Sequence, residues 1–523
     1  MNKSLNREIT AKALVLLLSV VIISLHYFYL RPWMLDDAFI SFRYAENFAH
    51  GSGLVYNPGD NVEGYTSFLW VIILGMGKFL GADPVNLSKI LGFLFSAGTP
   101  ALLLFFPRKG RNLAFQSIIA VLMLSTCGSF TAWATSGMET SMFIFLVTLA
   151  FLLYEDILQA PKDNKFIYLG LLAGVLTLTR PEGAIFFLCM LLLINVFKLT
   201  TVRRFAVRES VRLMVPFLLI TGSHLAFRLW YYHDFLPNTF FDKVGRGFLQ
   251  IKRGLAYFRT FIRSAALILA PNIFLIAMLL KKDEDRKYFF YYSLLFSVSV
   301  YSLYVIYVGG DVMPAYRFFV PVLPLLALLA AFCLQEIGSL IKTRLHLQMR
   351  FADTLPVIIL VAFICVYNLA ETQLDTRINH DLKGDSVAYL GKEAGLWLKD
   401  NFDAKTVIAT NTAGSIPYYS GLTTIDMLGL NDRTIARRSM PNMGGGMPGH
   451  EKADGKYVFS RNPDIIQFGS SLGSASPMFE SDLELIELPD FSAKYKLESF
   501  VMPSGDSILL YIRKDYQGAP VPA

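Results

Sequence analysis

Apolar runs of about 15–20 residues return repeatedly between residues 14 and 370, more than a water-soluble fold can bury. A helix that crosses the hydrocarbon layer takes about 17–25 such residues. The runs near 14–30, 86–105, 113–131, 140–154, 166–180, 183–197, 213–231, 264–280, 288–308, 318–334 and 355–370 predict about 11 spans. The expected fold class is therefore a polytopic α-helical membrane protein. Composition agrees: 54% of the 523 residues are hydrophobic, 17% are charged, and the mean hydropathy is +0.45. The first run passes through Ile22-Ile23-Ser24-Leu25 into Arg31-Pro32-Trp33 with no small-residue cleavage site, so a retained helix is expected. Cys127, Cys189, Cys333 and Cys365 all lie inside apolar segments, which argues against a disulfide framework.

The net charge of +7 comes from basic clusters between apolar runs, a pattern of membrane anchoring that needs no nucleic-acid partner. With the amino terminus in the cytoplasm, the inner loops are the tail, 108–111, 162–165, 198–212, 281–287 and 342–350. They carry about 20 Lys and Arg against about 12 in the outer loops, as the positive-inside rule asks. An odd number of spans then sends 371–523, and the acidic loop 31–85, to the outside. Residues 66–80 are apolar but short and interrupted by Gly75 and Gly77, so they predict a helix lying at the outer interface.

The outer loops hold the unusual polar residues. Asp36-Asp37-Ala38 follows the first span and runs on to Glu63-Gly64-Tyr65-Thr66. Glu139 follows the third span, Arg180-Pro181-Glu182-Gly183 the fifth, Pro237-Asn238-Thr239 through Lys243 the seventh, and Gly309-Gly310-Asp311 through Arg317 the ninth. Read singly, each has a plain explanation: a solvated acidic loop, a tight helical hairpin, an ordinary helix stop. Four clusters on the same side as the acidic loop are harder to dismiss, because ionisable groups near membrane depth cost about 2.5–3.5 kcal/mol each and usually line a cavity or a substrate path. Their types are complementary. Asp36, Asp37, Glu139 and Asp311 supply carboxylates, while Arg180, Lys243 and Arg317 supply cations suited to a phosphate. The chain has neither a GxxxxGK[ST] loop nor a GxGxxG after a strand.

An outer site cannot draw on nucleotide-activated donors, which are made and kept in the cytoplasm. A sugar on a polyprenyl phosphate can cross with its lipid. Its transfer needs a base for the acceptor hydroxyl and cations for the leaving phosphate.

The residues Asp36-Asp37-Ala38-Phe39-Ile40 through Gly64-Tyr65-Thr66, Arg180-Pro181-Glu182-Gly183, Pro237-Asn238-Thr239-Phe240, Gly309-Gly310-Asp311 with Arg317, and Gly449-His450-Glu451-Lys452-Ala453 resemble, in this order, the GT-C superfamily of polytopic glycosyltransferases that use polyprenyl-phosphate sugars. Within it the chain is most similar to the terminal arabinofuranosyltransferase family of bacterial cell envelopes, over most of its length. The resemblance implies a GT-C catalytic module at 1–370 in the bacterial inner (plasma) membrane, with the catalytic base at Asp37 or Asp36. It implies a polyprenyl-phosphate-linked sugar and an envelope glycan or lipid acceptor as partners, besides the bilayer. The family pattern commonly continues Tyr-Thr with Asn-Pro; here Ser67-Phe68 follows Tyr65-Thr66. The sugar is left open, a pentofuranose being only the family's own.

Residues 371–523 are more polar and predict a periplasmic α/β domain. A helix is expected over 386–401 and strands over 404–410, 423–428, 464–468, 495–502 and 507–513, with a helical turn at 414–420. Asp426, His450 and Lys452 are its candidate substrate contacts, beside Glu63, Tyr65, Thr66, Glu139, Glu182, Asn238 and Asp311 from the membrane module. The glycine-rich stretch 442–449 is expected to be a mobile loop, shaping an acceptor groove or merely connecting. The carboxylates offer the oxygen ligands that Mg²⁺ or Mn²⁺ prefers, and the sequence leaves open whether such an ion joins Asp37. A protein O-glycosyltransferase of the same superfamily is the second reading and a lipid or solute transporter the third. Against the last, the chain has no pair of matching half-chains with corresponding broken helices.

Overall fold

The computed structural model describes residues 2–108, 113–243, 245, 247–279, 286–344, 354–372, 387–441 and 443–518. Parts of three expected cytoplasmic loops (109–112, 280–285 and 345–353), the start of the expected C-terminal domain (373–386) and Asn442 of the glycine-rich stretch lie outside them.

All eleven apolar runs coincide with helices, but among the described residues seven are long and apolar enough to cross a membrane. These are Asn6–Leu30, Pro84–Phe105, Thr140–Gln159, Gly183–Val202, Val207–Tyr231, Tyr288–Tyr307 and Val320–Arg344. The other four, Leu113–Ser125, Asp163–Thr179, Ala266–Leu279 and Leu355–Thr372, have 13, 17, 14 and 18 residues. At 1.5 Å per residue the shortest covers only about 20 Å. The Leu113–Ser125 helix stops early because the Thr126 hydroxyl turns back to the carbonyls of Leu122 and Met123, and a separate turn, Gly128–Ala132, follows. The Phe68–Phe79 helix has 12 residues and leaves Met76 and Phe79 exposed, as a helix at an interface would.

Burial is arranged as lipid demands. Leu14, Leu17, Val21, Leu25 and Phe28 on the first helix point outward, while the Val320–Arg344 helix is buried over 83% of its apolar stretch. Asp163–Thr179 and Val207–Tyr231 approach so closely at Gly170 that a Cβ there would stand 2.3 Å from the Leu213 carbonyl oxygen.

Beyond the bundle a five-stranded sheet forms, with β1 Val407–Thr410, β2 Thr423–Asp426, β3 Ile465–Gln467, β4 Tyr495–Val501 and β5 Ser507–Arg513. The order is β2-β1-β3-β5-β4, with β1 parallel to both neighbours and β5 antiparallel to β3 and β4. Alternation along each strand separates two cores. Ile408, Ile465 and Leu510 face Trp397 and Leu398 of the Val387–Asn401 helix, while Ala409, Ile466 and Tyr511 face Phe468 and Phe491. The second strand ends at Asp426, earlier than the sequence suggests. There the carboxylate accepts the backbone N–H of Leu428 (3.1 Å) and Asn431 (2.8 Å) and so turns the chain.

Candidate active site

Leu35 is extended, and Asp36 and Asp37 open the Asp36–Ala49 helix, where two carboxylates suit the positive end of the helix dipole. Successive helical side chains diverge by about 100°, so the two acids cannot share a target. Asp37 faces a cavity of about 470 Å³ at the end of the bundle beneath the α/β domain. Asp36 turns to the loop after β1, where its carboxylate accepts the N–H of Ser415 (2.8 Å) and Gly414 (3.0 Å) and the Ser415 hydroxyl (2.5 Å). Burial pushes the Asp36 carboxyl up to about 6 against the pull of these bonds.

Tyr65, Thr66, Glu139, Arg180, Glu182, Lys243, Asp311, Arg317 and His450 line the cavity with Asp37. Lys243 closes the short Asn238–Lys243 helix and sets its Nζ 3.9 Å from Asp37 Oδ2. Arg317 is aimed by a contorted segment: Gly309, Gly310, Ala315 and Tyr316 all have positive φ, and Trp133 Nε1 donates to the Ala315 carbonyl at 3.0 Å. Left-handed φ at two non-glycine residues in succession costs on the order of 1–3 kcal/mol each. The Arg317 guanidinium grips Asp311 through Nε (2.6 Å) and Nη2 (3.0 Å). Arg180 is bound on both sides, to Glu139 at 2.7 Å and to Glu182 at 2.9 Å. Its guanidinium and that of Arg317 lie over the same Phe318 ring, at 5.4 and 5.3 Å. Both arginines thus reach the cavity with their charge already answered by carboxylates.

Asn238, Glu63, Asp426 and Lys452, also candidates from the sequence, are set back from the cavity. Asn238 donates from Nδ2 to the carbonyls of Gly429 (2.8 Å), Leu430 (3.0 Å) and Asp432 (3.2 Å), so it staples the Lys243 helix to the α/β domain. Glu63 is buried and takes a two-pronged grip from Arg228 at 2.5 and 3.1 Å; burial raises its carboxyl, opposed by that guanidinium. Asp426 caps the turn after β2, and burial pushes it up to about 6. Lys452 gives its ammonium to the Arg438 carbonyl. His450 reaches the cavity edge beside Gly449, its Nδ1 3.1 Å from the Pro448 carbonyl and its ring against Phe479.

Sequence reasoning missed four residues here. Arg228 and His224 line the cavity four residues apart on one helix face, and His224 Nε2 is buried with no hydrogen-bond partner. Two ionisable residues inside the apolar run 213–231 were the signal that could have found them. Asp242 is fully buried with both carboxylate oxygens unpartnered, and burial drives its carboxyl well up against the pull of Lys243 and Lys452. Ser415 gave no sequence signal. Among the described residues no three of His, Cys, Asp and Glu gather as a metal site would require.

Comparison with solved structures shows that this helical bundle with its α/β domain is a shared fold. ArnT from Cupriavidus metallidurans in the apo state matches with a TM-score of 0.56 at 14% identity, over 95% of this chain and 97% of that one. The same protein bound to undecaprenyl phosphate matches with a TM-score of 0.51 at 14% identity, over 79% and 85%. In sequence the relationship is to arabinofuranosyltransferases. The chain is 28% identical over 254 residues to a terminal beta-(1->2)-arabinofuranosyltransferase of Mycobacterium tuberculosis, covering 45% of this chain and 39% of the relative. It is 25% identical over 236 residues to the Corynebacterium glutamicum protein of the same name, covering 40% and 33%. The chain thus matches well under half the length of these curated relatives. Residues 377–516 match a family model described as a domain of unknown function, DUF8728.

Proposed function

We propose that this chain is a membrane glycosyltransferase that takes a sugar from a polyprenyl phosphate at the periplasmic face and transfers it to a hydroxyl of an envelope glycan or glycolipid. The observation that carries the reading is the cavity itself. Asp37 lines it together with Lys243, 3.9 Å away, and Arg317, and apolar side chains, among them Leu178, Leu225 and Val308, line it as well. A lipid-linked donor likewise joins a polar head to an apolar chain. The sequence relationship to arabinofuranosyltransferases supports the reaction class, and a pentofuranose is the sugar it favours. That an ArnT of the same fold has been solved with undecaprenyl phosphate supports the donor class. The excess of basic residues in the loops at the opposite end supports the periplasmic side.

In the reaction the acceptor oxygen attacks the anomeric carbon and its proton passes to Asp37. The bond from that carbon to the phosphate oxygen breaks, and the polyprenyl phosphate leaves with the bonding pair. A positioned base contributes about 10²–10⁴-fold. Among the described residues Lys243 is the lining cation with no carboxylate within 3 Å, so it answers the departing charge first. Arg317 follows by sharing its hold on Asp311.

The test is to incubate purified protein with a panel of polyprenyl-phosphate sugars and envelope acceptors and to follow products by mass spectrometry. Asp37→Asn should remove transfer while leaving the fold intact, and Arg317→Ala should weaken donor use. Full activity in Asp37→Asn would overturn the assignment of the base. Transport of a solute with no glycan product would overturn the reaction class.

A further inference from the structure

The acidic pair is divided between two parts of the fold. Asp37 serves the cavity, whereas Asp36 is held by the α/β domain through three hydrogen bonds from Gly414 and Ser415. The backbones meet as well, since a Cβ on Gly414 would stand 2.0 Å from the Asp36 carbonyl oxygen. The contact continues along the same helix. Arg43 donates to the carbonyls of Pro417 and Leu422, the latter at 2.8 Å, and Phe39 packs its ring on Tyr418 and Tyr419 at 5.5 and 5.4 Å. Tyr56 donates to the Ala413 carbonyl at 2.6 Å, and Asn57 exchanges bonds with the Thr424 backbone at 2.9 and 3.1 Å.

Residues 411–414 leave β1 at the carboxyl end of the parallel strands. The chain goes from β1 to β2 on one side, and β3 lies on the other. In open α/β sheets such a crossing is where ligand loops gather. Here the loop is occupied by the membrane module's own helix.

We propose that the α/β domain, the part of the chain matched as a domain of unknown function, is a clamp that holds Asp36 and thereby positions Asp37. Asp36 is then a positioning residue and takes no part in proton transfer. The role of Asp37 rests on the function proposed above; the clamp itself does not. With the two acids on one helical turn, releasing Asp36 lets the turn rotate and carries Asp37 out of line. A displacement of about 1 Å at a reacting group is enough to lower a rate by about 10²-fold.

Full-length protein would be compared with Asp36→Asn, Ser415→Ala, the double variant, and Gly414→Ala, which keeps both bonded side chains but sets a methyl group 2.0 Å from the Asp36 carbonyl oxygen and 2.6 Å from its Oδ2. Hydrogen–deuterium exchange should rise over 36–45 and 411–420 in every variant while β3, β4 and β5 stay protected. Transfer should fall about 10–100-fold in kcat with the donor KM unchanged, and the double variant should be no worse than Asp36→Asn. Unchanged exchange over 411–420 in the single variants overturns the clamp. Loosened exchange with unchanged kcat, or a loss carried by KM, overturns the positioning role. Should the wild-type protein transfer no sugar from any donor, the functional reading falls, and the exchange experiment still decides the clamp.

Discussion

Lys243 Nζ lies 3.9 Å from Asp37 Oδ2, too far for a closed ion pair and near enough for each charge to bias the other. The other cavity-lining cations are committed: Arg317 to Asp311, Arg228 to Glu63, and Arg180 to two glutamates. A donor phosphate therefore meets Lys243 at the least cost in broken partners. Lys243→Met should raise the donor KM or lower kcat/KM by about 10–100-fold, the worth of one charge-assisted hydrogen bond of about 1.5–3 kcal/mol. Steady-state kinetics over donor concentration checks this, and a change confined to acceptor KM would argue against it.

Arg180 meets two carboxylates where Arg317 meets one. It is buried with Glu139 and Glu182, and its removal leaves two carboxylates without their cation. Breaking such a buried pair costs about 3–5 kcal/mol. Arg180→Ala should therefore lower thermal stability and folded yield, whereas Arg317→Ala should show its larger effect in donor use. A stable Arg180→Ala protein with a raised donor KM would support the phosphate-binding role expected from sequence.

What the sequence disclosed and what it hid divide along one physical line. Apolar length placed a helix at each of the eleven apolar runs, though not the more polar Asp36–Ala49 and Phe248–Ser264 helices, and strand alternation placed the sheet to within three residues, because both signals are local. The polar clusters around Asp37, Glu139, Arg180, Lys243, Asp311 and Arg317 were legible because charges near lipid are conspicuous, and the fold brings them to one cavity. Partnership was not legible. Asp36 and Ser415 are 379 positions apart, and the three carbonyls that take Asn238 stand 191–194 positions away. No spacing rule reaches that far, so residues joining the two parts of the fold looked the same in sequence as residues facing a substrate. Arg228 and His224 were hidden for the opposite reason, being enclosed in an apolar run that drew the eye to its length.

Asn238 allows this distinction to be measured. Its amide nitrogen serves three carbonyl oxygens. Asn238→Asp would place a carboxylate against the same three oxygens and should prevent the α/β domain from docking. Asn238→Ala leaves buried carbonyls short of a donor, for a loss of about 1–3 kcal/mol. Thermal unfolding should register both, the aspartate more severely. A direct substrate contact would give the reverse pattern, with KM altered and stability kept.

Asp426 makes stability depend on pH in a direction that can be worked out. Its carboxyl is raised from 3.8 to about 6, chiefly by burial, with Asn431 and the Leu428 N–H pulling the other way. A carboxyl whose folded value lies above its unfolded value binds its proton more tightly in the native state. Its contribution is complete below about pH 4 and is lost as pH rises through about 6. Asp426→Asn keeps the shape and removes the titration. The unfolding temperature of the wild-type protein minus that of Asp426→Asn should therefore fall steadily from pH 4 to pH 6 and then level off. A difference that grows over the same range would mean that the hydrogen bonds from Asn431 and Leu428 outweigh burial and hold the group below its ordinary value.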